Sequence, residues 1–229
     1  MMNNKINQSL RICPPDASTG RSMVEMLGVL AIIGVLSVGA IAGYGKAMMK
    51  YKLNKHAEAV NMLINNVLSI KDKLEHSGDN STYYNQLLYK INLLPDGIIY
   101  QRDGNEPAKE LRDIWFKNKI GVVWSKSKWT ASDGTQGQDN VGVISFNFNP
   151  SDEGHEVCRN IVIAAKENAA NIDGLRTFKT SGNTTIIQGD KNCSKYSTCL
   201  RDLSLETINT ICNNCKDTDT VCTLAIFWK

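Results

Sequence analysis

Apolar residues run without interruption from Met26 to Tyr44 and only afterwards become periodic. That first stretch contains no charged residue, and Ser37 is its one clearly polar side chain. Nineteen residues of helix rise about 28 Å at ~1.5 Å each, enough to cross a hydrocarbon core of about 30 Å. A buried helix of a water-soluble domain normally keeps a polar face, so the uniform run predicts a membrane-spanning helix. Beyond Tyr44, Val60, Leu63, Val67, Ile70 and Leu74 recur at alternating spacings of three and four, with Asn61, Asn65, Lys71 and Asp72 between them. This is a single apolar stripe, and it predicts one continuous helix from about Ser22 to His76, packed against a sheet in its second half and stopped at Ser77-Gly78-Asp79-Asn80.

Further along, Tyr83–Leu94 reads as a short helix ended by Pro95-Asp96-Gly97, residues 98–101 as a short strand and Asn105-Glu106-Pro107 as loop. Ile120–Trp129 and Val141–Asn149 are rich in β-forming residues and flank Ser132-Asp133-Gly134-Thr135-Gln136-Gly137, which predicts a hairpin with a long connection. In the second run Ile144, Phe146 and Phe148 alternate with Val143, Ser145, Asn147 and Asn149, so one face is buried. Pro150-Ser151-Asp152-Glu153 then starts a helix with Cys158, Ile161, Val162 and Ala165 on one side. The expected fold class is α+β: a long N-terminal helix, membrane-spanning in its first half, on an antiparallel sheet.

Composition alters this picture mainly through cysteine. Cys13 precedes the apolar run, and Cys158, Cys193, Cys199, Cys212, Cys215 and Cys222 all lie in the last third of the 229 residues. An even set in a polar region behind a membrane anchor predicts a disulfide framework in an oxidising compartment, with connectivity left open. Cys212-Asn213-Asn214-Cys215 is also a CxxC, so a redox dithiol, or a zinc site completed by Cys193 and Cys199, is the alternative. A redox CxxC normally opens a helix after a strand, whereas this one sits in an Asn- and Asp-rich stretch. The formal charge of +3 is small and its cations are scattered, without the aromatic-interleaved basic patch of a nucleic-acid groove. His56, His76 and His155 are isolated and read as surface residues, the four tryptophans as core or hairpin packing, and neither a catalytic constellation nor a cofactor is expected.

The order of segments at the N-terminus is unusual. Residues 1–20 are polar, carry Lys5 and Arg11 and end in Gly20, and the apolar run follows that glycine. An ordinary secretory signal loses its apolar stretch on cleavage, whereas a cut after Gly20 would keep it. Gly20-Arg21-Ser22-Met23-Val24-Glu25, followed by the apolar run with Ala31-Ile32-Ile33-Gly34 and terminal Tyr44, resembles the N-terminal motif of type IV prepilins and type II secretion pseudopilins. The resemblance covers about 25 residues. It implies cleavage after Gly20 by prepilin peptidase, methylation of the new amino terminus at Arg21, and a filament contact made by Glu25, the fifth mature residue. Arg21 stands where that family usually has Phe, Met or Leu, and Ala42 where it commonly has a helix-kinking proline.

Carried over to the whole chain, the resemblance implies a leader at 1–20, a transmembrane or filament-core half-helix at 21–45 and a globular pilin-like head at 46–229. The implied partners are other pilin or pseudopilin subunits, prepilin peptidase, an inner-membrane assembly platform and membrane lipid. The implied location is the inner membrane, with a periplasmic head, and then a filament. The strand, proline turn and cysteine-bearing helix at 141–165 are similar to the heads of type IVb pilins, which implies a Cys158–Cys222 disulfide.

Two charged features keep alternative readings. Glu25 also suits the first turn of a helix, where the dipole favours an anion, or an i,i+4 pair with Arg21. Lys46, Lys50, Lys52 and Lys55 suit a cytoplasmic flank, a role for which Lys5 and Arg11 compete, or they solvate the filament interior or head.

Overall fold

The computed structural model describes residues 23–74, 81–101, 110–130, 136–179, 185–216, 219–220 and 222–229. The predicted helix stop at Ser77–Asn80, the loop at 105–107 and His76 lie outside them. The chain divides into two units, Met1–Ala47 and Met48–Lys229. Helix α1, Met23–Ile70, runs through the division and ends in a 3-10 turn at Lys71–Lys73.

In the first unit every described side chain, Met23 through Ala47, is exposed. The Ser37 hydroxyl donates to the Ile33 carbonyl at 2.7 Å, so the one polar group of the apolar run is satisfied within its own helix. The helix is long and apolar enough to cross a membrane by length and composition.

The second unit is an antiparallel sheet with helices packed on one face. Its strands are β1 (Thr82–Tyr83), β2 (Ile98–Gln101), β3 (Glu110–Asp113), β4 (Lys119–Thr130), β5 (Gln136–Phe148), β6 (Gly174–Lys179), β7 (Thr185–Gln188) and β8 (Cys222–Trp228). The order is β2-β3-β4-β5-β8-β6-β7, with β1 also pairing with β4. The predicted hairpin is β4–β5, in register from Ile120 opposite Phe146 to Thr130 opposite Gln136. β8 lies between β5 and β6, so the C-terminal strand closes the middle of the sheet.

Alternation places Ile120, Val122, Ile144, Phe146, Leu224, Ile226 and Trp228 on the buried face. That face meets Val60, Leu63, Ile64 and Val67 of α1, together with Val157, Cys158, Ile161, Val162 and Ala165 of α3 (Asp152–Glu167). The predicted stripe is therefore the packed face, except that Ile70 is half-buried. Ser151 caps α3, its Oγ accepting from Gly154 N at 3.1 Å, and Asp152 and Glu153 occupy the first turn. Amides lock α3 to α1: Asn160 Nδ2 donates to the Leu53 carbonyl at 2.9 Å, and Asn61 Nδ2 to Glu167 Oε2 at 2.6 Å.

The segment read as a helix over Tyr83–Leu94 is β1 followed by a shorter α2, Asn85–Lys90. The reason is an unpaired stretch of β4 beyond the end of β3. Tyr84 N donates to the Val122 carbonyl (2.9 Å), and the buried Asn85 Oδ1 accepts from Val122 N (2.8 Å), which completes that edge. The turn at Pro95-Asp96-Gly97 is real: Ile98 N donates to the Pro95 carbonyl at 3.1 Å, and Gly97 takes φ +90°. A side chain there would strike the Trp115 indole lying over it. Strands β3, β6 and β7 and helix α4 (Leu205–Asn213) were not expected from the sequence.

Candidate functional site

Two places in the molecule hold the residues singled out by sequence. Gly20 and Arg21, on which processing would act, lie outside the described residues, as does Cys13. Glu25 lies in the first turn of α1 and is exposed. The glycines that follow it, Gly28, Gly34, Gly39, Gly43 and Gly45, have open space where a β-carbon would stand. Glycine weakens a helix by about 1 kcal/mol relative to alanine. Nothing within the chain's described residues explains five such positions.

The second place is the C-terminal cysteine set. All six cysteines after residue 150 are bonded: Cys158–Cys212, Cys193–Cys199 and Cys215–Cys222. The expected Cys158–Cys222 pairing is therefore incorrect. Helix α4, unrecognised in the sequence, packs on α3 and turns Ile208 and Cys212 inward, which brings Cys212 rather than Cys222 to Cys158. Arg159 Nε donates to Asn209 Oδ1 at 2.6 Å beside this bond. Ser204 caps α4, its Oγ accepting from Thr207 N at 3.1 Å. Cys222 opens β8 opposite Phe148 and Lys179, and takes its partner from just past the end of α4.

This connectivity also decides the chemistry of the CxxC. Cys212 and Cys215 are bonded to different partners, one to α3 and one to β8, so they do not form the dithiol pair of a redox motif. The four sulfurs weighed as a zinc set are divided among three disulfides. Asp219 approaches Cys215 and Cys222, and Asp202 approaches Cys193 and Cys199, but in each group both sulfurs are spent on each other. A thiolate is what zinc needs. Around the cluster, His155 Nε2 donates to the Cys215 carbonyl at 2.8 Å, and Asp219 Oδ2 accepts from Lys216 N at 3.1 Å. The CxxC is thus a two-way fastener, with α3 held by one cysteine and β8 by the other.

His56 is the functional candidate that sequence reasoning placed wrongly. It is 1 % exposed, not a surface residue. The signal was available, because His56 stands four residues before Val60 and so extends the apolar stripe by one turn. Trp228 is buried and Trp115 and Trp124 are half-buried, in keeping with packing roles, while the Trp129 side chain is outside the described residues. A surface groove of about 770 Å³ in the second unit runs between α1 and the Gly97–Trp115 corner, bordered by Tyr51, Met62 and Ile114.

No protein-family profile matches this sequence, and no curated protein matches it. Among solved structures it is similar to the crystal structure of a type IV b pilin from Salmonella typhi, with 16% sequence identity and a TM-score of 0.48, over 77% of this chain and 99% of that one.

Proposed function

We propose that this chain is a structural subunit of a type IV pilus or pilus-like filament, processed after Gly20 and assembled through residues 21–45. The observation that carries the reading is an apolar helix whose side chains are exposed from Met23 to Ala47 and which bears one carboxylate, Glu25, in its first turn. Such a surface needs either lipid or other helices around it. Before assembly, the bilayer supplies the cover. In the filament, neighbouring helices do, and the open glycine positions allow their backbones to approach closely.

Glu25 gives the assembly its register. A carboxylate in a lipid-embedded helix is costly, roughly 2.5–3.5 kcal/mol at the helix centre on insertion scales and less near the end where Glu25 stands. In the proposed filament the amino terminus of Arg21 in an adjacent subunit relieves that cost, so the gain comes only on correct axial placement. Residues 46–229 form the head, and their disulfides suit exposure outside the cytoplasm. A pseudopilin of a type II secretion system is the same reading with a different assembly. No turnover of substrate is part of either.

Mass spectrometry of the protein from its native host tests this. The mature chain should begin at Arg21 with a methylated amine, and Gly20→Ala should accumulate as an unassembled precursor retaining residues 1–20. A native protein that keeps its first twenty residues and stays monomeric in the bilayer overturns the proposal.

A further inference from the structure

Where α1 meets the turn between β3 and β4, two ionisable groups are buried side by side. His56 packs edge-on against Phe116, with ring centroids 5.5 Å apart and planes at 83°. Its Nδ1 is buried and has no hydrogen-bond partner. Asp113, also 1 % exposed, is committed elsewhere: Oδ1 accepts from Trp115 N (3.1 Å) and Phe116 N (2.6 Å), and Oδ2 from Asn118 N (2.8 Å). Three amide donors hold that carboxylate in the turn, whose tip, Lys117, takes a left-handed φ of 61°. The turn is therefore preformed by Asp113, and the ring of Phe116 on its underside rests on His56.

The charges near this corner are accounted for element by element. On α1, Lys55 is paired with Glu58 at 2.7 Å, and Lys52 is half-buried one turn before His56. On α3, Glu156 and Arg159 pair with each other at 2.5 Å. On β3 and β4, Arg112 and Lys119 both pair with Glu110. On the turn, Lys117 is exposed and Asp113 is buried. Burial lowers the His56 pKa below the ordinary histidine value, and the Asp113 charge opposes that shift with the smaller effect.

We propose that His56 is an acid-sensitive latch: neutral, it seats the Asp113–Asn118 turn on α1 through Phe116, and protonated, it releases that turn because a buried cation must regain water. Because the folded-state pKa is depressed, the stabilisation is fully present above the unfolded value of about 6.5 and is lost as pH falls toward the folded value. This inference concerns the second unit alone and does not depend on filament assembly.

Thermal unfolding of the full-length protein in detergent, from pH 7.5 to pH 5.0, tests it on the wild type, His56→Gln and His155→Gln. The wild type and His155→Gln should lose roughly 2–4 °C more of Tm over that range than His56→Gln, the scale on which proteins of this size respond to such a change. Parallel profiles for all three overturn the latch. Should His56→Gln fail to fold, NMR titration of the wild-type imidazoles decides the matter. A His56 that stays neutral below the ordinary range, and whose protonation coincides with lost amide protection at Phe116 and Asn118, supports the latch. A His56 that titrates at or above the ordinary value overturns it.

Discussion

Gly142 and Trp228 make a close residue-scale contact in the sheet. They are cross-strand partners on β5 and β8, and a β-carbon on Gly142 would overlap the Trp228 indole. Trp228 is 1 % exposed and has nowhere to retreat. Gly142→Ala is expected to cost about 1–3 kcal/mol by overpacking, measured by urea denaturation. Trp228→Leu should make the added methyl far less costly, and additive effects of the two changes would contradict the contact. Legibility at this scale depended on pattern. The alternation around Ile144, Phe146 and Phe148 identified their burial, because period two reports a sheet face directly. His56 was missed because a polar side chain at a stripe position does not register as core. The packing of Trp228 on Gly142 joins residues 86 apart in sequence, beyond the reach of any local rule.

At the scale of elements, the three disulfides divide their work unequally. Cys158–Cys212 closes a separation of 54 residues, against 6 for Cys193–Cys199 and 7 for Cys215–Cys222. On the chain-entropy account the long closure stabilises by about 4 kcal/mol and each short one by about 2 kcal/mol. Replacing Cys158 and Cys212 together by serine should therefore lower unfolding free energy about twice as far as replacing Cys193 and Cys199, read from denaturant midpoints. Equal losses would mean that the long bond does not join α3 to α4. Sequence reading found α1, the β4–β5 hairpin and α3, whose apolar periods are long and unbroken. It missed β3, β6 and β7, which have only 4, 6 and 4 residues. Segments this short carry few alternations; β2, equally short, registered because Pro95-Asp96-Gly97 marks its start, and the others are strands because longer neighbours pair with them. The missed α4 had the largest consequence, since recognising it would have changed the predicted cysteine pairing.

For the whole molecule, the exposed apolar helix and the packed second unit make separable demands. No described residue before Met48 is buried, so residues 48–229 contain all the described core side chains. That fragment is expected to fold and remain monomeric without detergent, with the full chain requiring it. Size-exclusion chromatography and circular dichroism check both, and an unfolded or aggregated fragment would show that the head needs the apolar segment. The cysteine connectivity also governs how the chain responds to pulling. A chain stretched from its two ends cannot extend the segment enclosed by Cys158 and Cys212, which withholds roughly 190 Å of contour length at about 3.5 Å per residue. The proposed filament would therefore yield less under tension when oxidised than when reduced. Its tensile limit would lie in the strands outside that covalent short-circuit, chiefly β1 to β5.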